Sequence, residues 1–295
     1  MYKKKIVVGV TGGNGFLGRK IVEFLDNSGI EVVSLQRSQK NISKVQTRLF
    51  DLSDFSSISK ELISNLDIII HTAALVHNTN ADHKSHQKFN FEATKRLYKI
   101  SQNSGVKKFI FLSTVGVYGA SSCKEILDVS SSVSPKTPYA TAKLDAEKFL
   151  LSQKNQNTRI SIIRLPLVYG ENYGKNIPGN YGALEKLSKI DIPLPFGGIK
   201  NKRSMISVDN VAKVLFDACK DLEKHNGLHL LVEPIPISTT ILLSNLRQRN
   251  ISTIRLFPVP KFIFKFLLIL VGKRKIYEQL FENLIFKSSI DLNNF

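Results

Sequence analysis

Thr11-Gly12-Gly13-Asn14-Gly15-Phe16-Leu17-Gly18 stands between the apolar run Ile6-Val7-Val8-Gly9-Val10 and a stretch in which Phe16, Leu17, Ile21, Val22, Phe24 and Leu25 recur at helical spacing. The run reads as a buried strand and the recurrence as the apolar face of a helix. Gly12, Gly15 and Gly18 therefore fall on a strand-to-helix turn close to the start of the chain. Such a turn lets backbone approach a pyrophosphate, whose negative charge meets the unpaired N–H groups of the helix N-terminus. Three glycines alone also describe a plain tight turn. It is the strand before them and the helix after them that point to a bound dinucleotide.

Working outward, strand signals recur at residues 5–10, 31–35, 47–50, 67–72, 107–112 and 159–164. Helical patterns separate most of them, at 16–28, 55–66, 86–104 and 139–154. This alternation predicts an α/β fold: a Rossmann-type doubly wound parallel sheet covered on both faces, with a smaller α/β C-terminal lobe for substrate. The rhythm breaks near residue 169. Residues 172–198, rich in glycine and proline, read as a long loop around a helix near 183–189. A short strand at 204–208 is expected to return to the main sheet, followed by a helix over 209–223. The expected division is a dinucleotide-binding domain over residues 1–170, joined by the segment near 204–223, and a lobe over 171–295 that mainly binds substrate. No internal repeat interrupts it.

At 295 residues with 42% hydrophobic content, the chain has the makings of an ordinary globular core. Cys123 and Cys219 lie far apart and match no metal or redox motif, so a reducing compartment, the cytoplasm, is expected. Basic residues precede Ile6 to Val10, but that run is too short for a signal-peptide core, and no secretory signal is read. The formal charge of +18 admits nucleic acid, an anionic membrane or a plain lysine-rich bias. The lysines are scattered and no basic stripe interleaves with aromatics, so nucleic acid is not expected as a partner. The charge also suits a substrate that carries a diphosphate. Residues 262–271 are apolar apart from Lys265 and are flanked by Lys261, Lys273, Arg274 and Lys275. They are too few to span a bilayer, which leaves a helix of the C-terminal lobe or a peripheral surface for a membrane or a partner.

Tyr139-Ala140-Thr141-Ala142-Lys143 places a phenol and an ammonium on one face of a helix. A nearby cation lowers the cost of a tyrosinate, which an unperturbed pKa near ~10 otherwise forbids at neutral pH. Ser113 and Thr114 end the fifth expected strand, where parallel sheets bind ligands.

In these stretches the chain resembles the extended short-chain dehydrogenase/reductase family, in its nucleotide-sugar epimerase/dehydratase branch. The matching segments are T-G-G-N-G-F-L-G from Thr11, H-T-A-A from His71, S-T-V-G-V-Y-G from Ser113, Y-A-T-A-K from Tyr139 and R-L-P-L-V-Y-G from Arg164. They keep the family's order and spacing over about residues 5–215. The resemblance implies that Tyr139 is the acid/base, that Lys143 lowers its pKa and binds the nicotinamide ribose, and that Thr114, with Ser113 beside it, orients the reacting oxygen. It implies that Gly12, Gly15, Phe16, Leu17, Gly18, Ala73 and Ala74 line the cofactor site. Related 4,6-dehydratases carry Asp-Glu directly after that threonine; Val115-Gly116 stand there, which argues against dehydration and leaves hydride exchange with a carbonyl.

The second strand ends in Leu35-Gln36-Arg37-Ser38, without the carboxylate that binds the NAD 2′-hydroxyl. Arg37 is read as a partner of the NADP 2′-phosphate, or else as a solvated surface residue. Asp51 and Leu52 resemble the family's adenine contact, while Asp51 equally suits a helix N-cap. Asn180 and Arg203 resemble positions that contact a nucleotide diphosphate, and His77 reads as a loop histidine at the substrate mouth. His77, His83 and His86 are not expected to hold a metal. The resemblance also implies a homodimer formed through the helix bearing Tyr139 and its neighbouring helix. The reading that follows is a reductase of 4-keto-6-deoxysugars or a 4-epimerase of UDP-hexoses or UDP-N-acetylhexosamines, in surface-polysaccharide synthesis. Arg37 tilts it toward the NADP-dependent reductase; a non-catalytic dinucleotide-binding protein is the alternative from another class.

Overall fold

The apolar runs are buried on both sides, as a parallel sheet covered by helices requires. Ile68, Ile69 and Ile70 have no exposed surface, and neither do Phe109, Ile110 and Phe111. The computed structural model describes residues 5–38, 45–76, 82–153, 157–170, 179–250 and 255–295. Its strands are β1 (Val7–Thr11), β2 (Glu31–Gln36), β3 (Gln46–Leu49), β4 (Ile68–His71), β5 (Lys108–Thr114), β6 (Arg159–Leu165), β7 (Leu167–Tyr169), β8 (Met205–Ser207) and β9 (Gly227–Leu230). All except β7 and β8 join one sheet, in the order β3-β2-β1-β4-β5-β6-β9 with every pairing parallel.

The helices are α1 (Phe16–Asn27), α2 (His83–His86), α3 (Ala93–Asn103), α4 (Pro138–Ser152), α5 (Gly179–Ser188), α6 (Val208–Lys220), α7 (Thr239–Asn250), α8 (Lys261–Leu270) and α9 (Arg274–Phe281). A wider-wound stretch, Gln87–Glu92, carries α2 into α3. Strand side chains alternate between two cores. Val8, Val10, Ile68, Ile70, Ile110 and Leu112 pack with Ile21, Val22 and Leu25 of α1 and Val211, Val214 and Leu215 of α6. Leu35, Ile69, Phe109 and Phe111 pack with Leu97 and Tyr98 of α3 and Ala146 and Leu150 of α4.

From β1 the chain builds outward to β2 and β3, then returns to lay β4 on the other side of β1. Thr11 and His71 end those two strands at the same level, so a crevice opens beyond them where the winding reverses. One buried network ties the ends together. Thr11 Oγ1 accepts the N–H groups of Thr72 and Ala73, both at 3.1 Å, and so donates its own proton to His71 Nδ1 at 2.7 Å. His71 Nε2 then carries the ring proton and donates to Thr94 Oγ1 at 2.9 Å, which donates to Asn90 O. Burial holds the His71 pKa well below its usual value, in keeping with this neutral ring.

Two expectations are corrected. Residues 55–66 do not form an α-helix: the chain makes a short tight helical turn, Phe55–Ser57, and then turns. Hydroxyls compete with the helical ladder there, since Ser57 Oγ bonds Asp51 O and Asp54 O, and Arg48 Nη1 takes Leu62 O and Ser64 O at 2.8 Å. The apolar residues Ile58, Leu62, Ile63 and Leu66 that suggested a helix are buried all the same. Second, the strand near 204–208 does not return to the main sheet. It pairs with β7 in a separate two-stranded sheet, and β9, too short and polar to stand out in the sequence, takes the last place beside β6. The expected helix at 262–271 is present as α8 and packs only one side onto the lobe: Phe264 and Leu268 face inward while Phe262, Phe266 and Leu270 are exposed. Among the described residues no helix is long and apolar enough to cross a membrane.

A histidine held neutral in the fold but free to protonate when unfolded stabilises the native state above the unfolded pKa and loses that contribution as pH falls. Stability should therefore decline as pH drops below the ordinary histidine value of 6.5 toward the depressed folded value. Urea unfolding at a series of pH values is the measurement, and His71→Asn should make the acid slope shallower.

Candidate active site

The turn between β1 and α1 is shaped by close backbone approach. Gly12 sits in the left-handed region at φ +68°. A Cβ on Gly18 would lie 2.2 Å from Gly12 O, backbone that cannot move aside without opening the turn. Gly15 precedes α1 as its cap residue, and neither a side-chain cap nor an acidic residue in the first turn occupies the helix end. The exposed N–H groups at that end are thus available to an anion.

This turn forms one wall of a cleft of about 670 Å³ at the carboxyl end of the sheet. Gly12, Gly15, Phe16, Leu17, Gly18, Arg37, Asp51, Leu52, Ala73, Ala74, Ser113, Thr114, Tyr139 and Lys143 all line it. Gln36, Leu75, Phe89 and the segment Leu165 to Val168, part of the R-L-P-L-V-Y-G motif, line it too, although none of them was given a role from the sequence. Gln36 accepts from Ser34 Oγ at 2.9 Å and donates to Ser38 O at 2.7 Å, fixing the backbone on either side of the exposed Arg37. Asp51 lines the cleft and also caps its own turn, accepting Ser53 N–H at 2.8 Å.

Other candidates lie elsewhere. His77 falls outside the described residues. Asn180 stands in the first turn of α5. Arg203 does not line the cleft: its Nη1 donates to the carbonyls of Ser121, Glu278 and Glu282 at 3.1–3.3 Å, stitching the C-terminal segment to the body. His86 is buried, meets the Tyr139 ring edge-on at 6.2 Å and contacts Asn90 at 3.1 Å, whereas His83 is exposed. Among the described residues no cluster could hold a metal ion.

Tyr139 and Lys143 reach the cleft from the start of α4, where Thr137 accepts Ala140 N–H at 3.2 Å and Pro138 suits the first turn. Lys143 Nζ donates to Leu112 O at 2.8 Å and lies 4.3 Å from the centre of the Phe111 ring. Burial pulls its pKa down to about 7, against the opposing pull of the Glu147 carboxylate. Burial pushes the Tyr139 phenol above its usual value. Both shifts disfavour charge; the Leu112 carbonyl, which accepts from Lys143 Nζ, and the nearby Glu147 carboxylate favour the ammonium form of Lys143. Thr114 Oγ1 accepts Gly116 N–H at 3.0 Å and keeps its proton to donate.

Behind these residues lies a buried network. Arg164 grips Glu147 through Nε, at 3.1 and 3.2 Å to its two oxygens, and Nη2, at 2.7 Å to Oε2. Its Nη1 donates to Tyr118 OH at 2.9 Å, which donates to Asp128 O. Ser113 Oγ donates to Glu147 as well. Glu147, one turn beyond Lys143 and therefore on its face of α4, is the signal that was present in the sequence and missed. Asp51 is the only carboxylate among the described residues lining the cleft.

A glycine cradle over an open helix end, with a threonine, a tyrosine and a lysine across the crevice, defines a dinucleotide-binding α/β protein equipped for proton transfer at an oxygen. The chain belongs to the NAD dependent epimerase/dehydratase family, whose profile matches residues 8–230. It is 28% identical over 280 residues to a UDP-glucose 4-epimerase of Vibrio cholerae, covering 92% of this chain and 84% of that one. It is 22% identical over 240 residues, 80% of this chain and 70% of the other, to an N-acetyl-alpha-D-glucosaminyl-diphospho-ditrans,octacis-undecaprenol 4-epimerase of Escherichia coli O157:H7. In fold it is similar to the UDP-N-acetylglucosamine 4-epimerase of Bacillus cereus, with a TM-score of 0.74 at 19% identity over 97% of this chain and 91% of that one.

The network has a measurable consequence. Glu147→Gln would leave the Arg164 guanidinium buried without its counter-charge, which costs about 3–5 kcal/mol in comparable pairs. The expected result is a large fall in the urea midpoint. A shift of a few tenths of a kcal/mol would show that the pair is not the clamp described.

Proposed function

We propose that the protein exchanges a hydride at C4 of a sugar diphosphate ester, as a 4-epimerase of a UDP-hexose or UDP-N-acetylhexosamine. The observation that carries this reading is the joint placement of Thr114, Tyr139 and Lys143 at the cleft opposite the glycine cradle, with Val115 and Gly116 rather than carboxylates directly after Thr114. The open end of α1 would take the cofactor pyrophosphate, Asp51 and Leu52 the adenosine end, and Lys143 the nicotinamide ribose. When bound, the nicotinamide dinucleotide supplies the acceptor, and later the donor, of the hydride at C4.

The rest falls to this chain's side chains. Thr114 holds the C4 oxygen by a hydrogen bond. Tyr139 takes the hydroxyl proton as the alcohol becomes a ketone and returns it when the ketone is reduced. Lys143 offsets the charge of the phenolate, the form from which Tyr139 takes the proton and to which it reverts on returning it. Elimination of water would need an acid and a base of its own, and Val115 and Gly116 provide neither. Asn180 and Arg203 are candidates for the diphosphate, Arg203 after giving up a backbone carbonyl.

Tyr139→Phe should lower turnover by about 10²–10⁴-fold, the usual contribution of a positioned acid/base, while dinucleotide affinity stays within about twofold. Assaying the purified protein with UDP-glucose, UDP-N-acetylglucosamine and a lipid-diphosphate N-acetylglucosamine, without added cofactor, tests the epimerase reading. Turnover that begins only when stoichiometric NADPH is supplied would replace it with a 4-ketosugar reductase.

Arg37 favours that second reading, since it stands exposed at the cleft beyond β2, where a carboxylate would otherwise read the ribose. If it pairs with a 2′-phosphate, Arg37→Ala should weaken NADPH by about tenfold, or ~1.4 kcal/mol, and leave NADH unchanged. Paired titrations of wild type and variant decide it; equal shifts for both cofactors return Arg37 to the solvated surface.

A further inference from the structure

Helix α8 (Lys261–Leu270) turns most of its apolar surface outward. Phe264 and Leu268 alone pack inward, Phe264 lying 4.8 Å from the Phe281 ring and 5.7 Å from that of Phe196. Phe262 and Leu270 are each 71% exposed, Phe266 67% and Val271 61%. Large apolar side chains gathered in one exposed patch mark an interaction surface, unlike the same residues scattered singly.

Cations surround the patch. Lys261, Lys265, Lys273, Arg274 and Lys275 are all exposed, and no carboxylate occurs in the sequence between residues 255 and 277. Glu278, the first beyond, already bonds Ser121 and bridges Arg274 at 3.1 Å. Lys265 rises among the phenylalanines on a stem long enough to carry its charge to an aqueous boundary.

We infer that α8 is a docking helix for an anionic lipid bilayer, lying in the plane of the interface with Phe262, Phe266 and Leu270 among the acyl chains and the lysines against the headgroups. A helix of ten residues spans about 15 Å and lies in a membrane surface without crossing it. Charge selects this occupant over a second copy of the chain. Two copies joined through α8 would bring cationic rims face to face on bodies that each carry +18, whereas a surface of anionic lipids neutralises both. The inference does not rest on the proposed reaction, because α8 contributes no residue to the cleft.

The chain contains no tryptophan, so Phe266→Trp places a single reporter on the patch. Added to vesicles of phosphatidylcholine with roughly a third phosphatidylglycerol, its emission should shift to the blue and the protein should sediment with the lipid. Binding should be at least about tenfold weaker to phosphatidylcholine alone and should fall as salt rises. The triple variant Phe262→Glu, Phe266→Glu, Leu270→Glu should lose vesicle binding while keeping the wild-type melting temperature and dinucleotide titration. Failure to bind anionic vesicles overturns the inference, and so does binding that survives the triple substitution. A concentration-dependent dimer, abolished by that substitution with no vesicle binding, would assign the patch to a second copy.

Discussion

The reversal of winding between β1 and β4 is the constraint on which the rest depends. Adjacent parallel strands whose connections leave in opposite directions cannot both be covered at their carboxyl ends, so a crevice is left there. Thr11 and His71 close its floor with hydrogen bonds that have one consistent proton arrangement, and His71 stays neutral because it is enclosed. Glycine then permits α1 to start so near β1 that no Cβ fits at Gly18. Thr114 at the end of β5 and Tyr139 and Lys143 on α4 meet this crevice because β5 pairs parallel to β4 and α4 packs against β5.

A second layer of order stands behind the cleft. Ser113, Tyr118, Glu147 and Arg164 come from β5, the turn after it, α4 and β6, and meet in one buried charge-assisted network. Such a network stabilises little against an apolar alternative, but it resists rearrangement because each member would be left unpaired. Its effect is to hold α4 in rotation about its axis, which sets where Tyr139 and Lys143 point. Positions that look like parts of separate motifs in the chain are thus one mechanical unit.

The C-terminal part follows a different logic. It is joined to the body by Arg203, whose guanidinium ends on carbonyls of both, and by Phe286 and Leu284 packing against Val117 and Tyr118. In its helix α8, Phe264 and Leu268 pack on the lobe while Phe262, Phe266 and Leu270 stay exposed, and the cationic rim around them is consistent with a lipid surface.

Local pattern by itself determined the parallel sheet, the glycine turn and the helix carrying Tyr139 and Lys143, because each depends on periodicity or on backbone geometry within a few residues. Fourteen of the residues singled out for the cleft line it, since strand ends in such a sheet converge whatever their separation in the chain. Tertiary structure alone decided the rest. Residues 55–66 carry a helical apolar spacing, yet serine hydroxyls and Arg48 take the carbonyls a helix needs. Placing β9 beside β6, joining Glu147 to Arg164, turning Arg203 toward carbonyls and exposing Phe262 and Phe266 are contacts between distant segments. Spacing along a chain records which face a residue shares with its neighbours, and it does not record what the folded protein brings to meet that face.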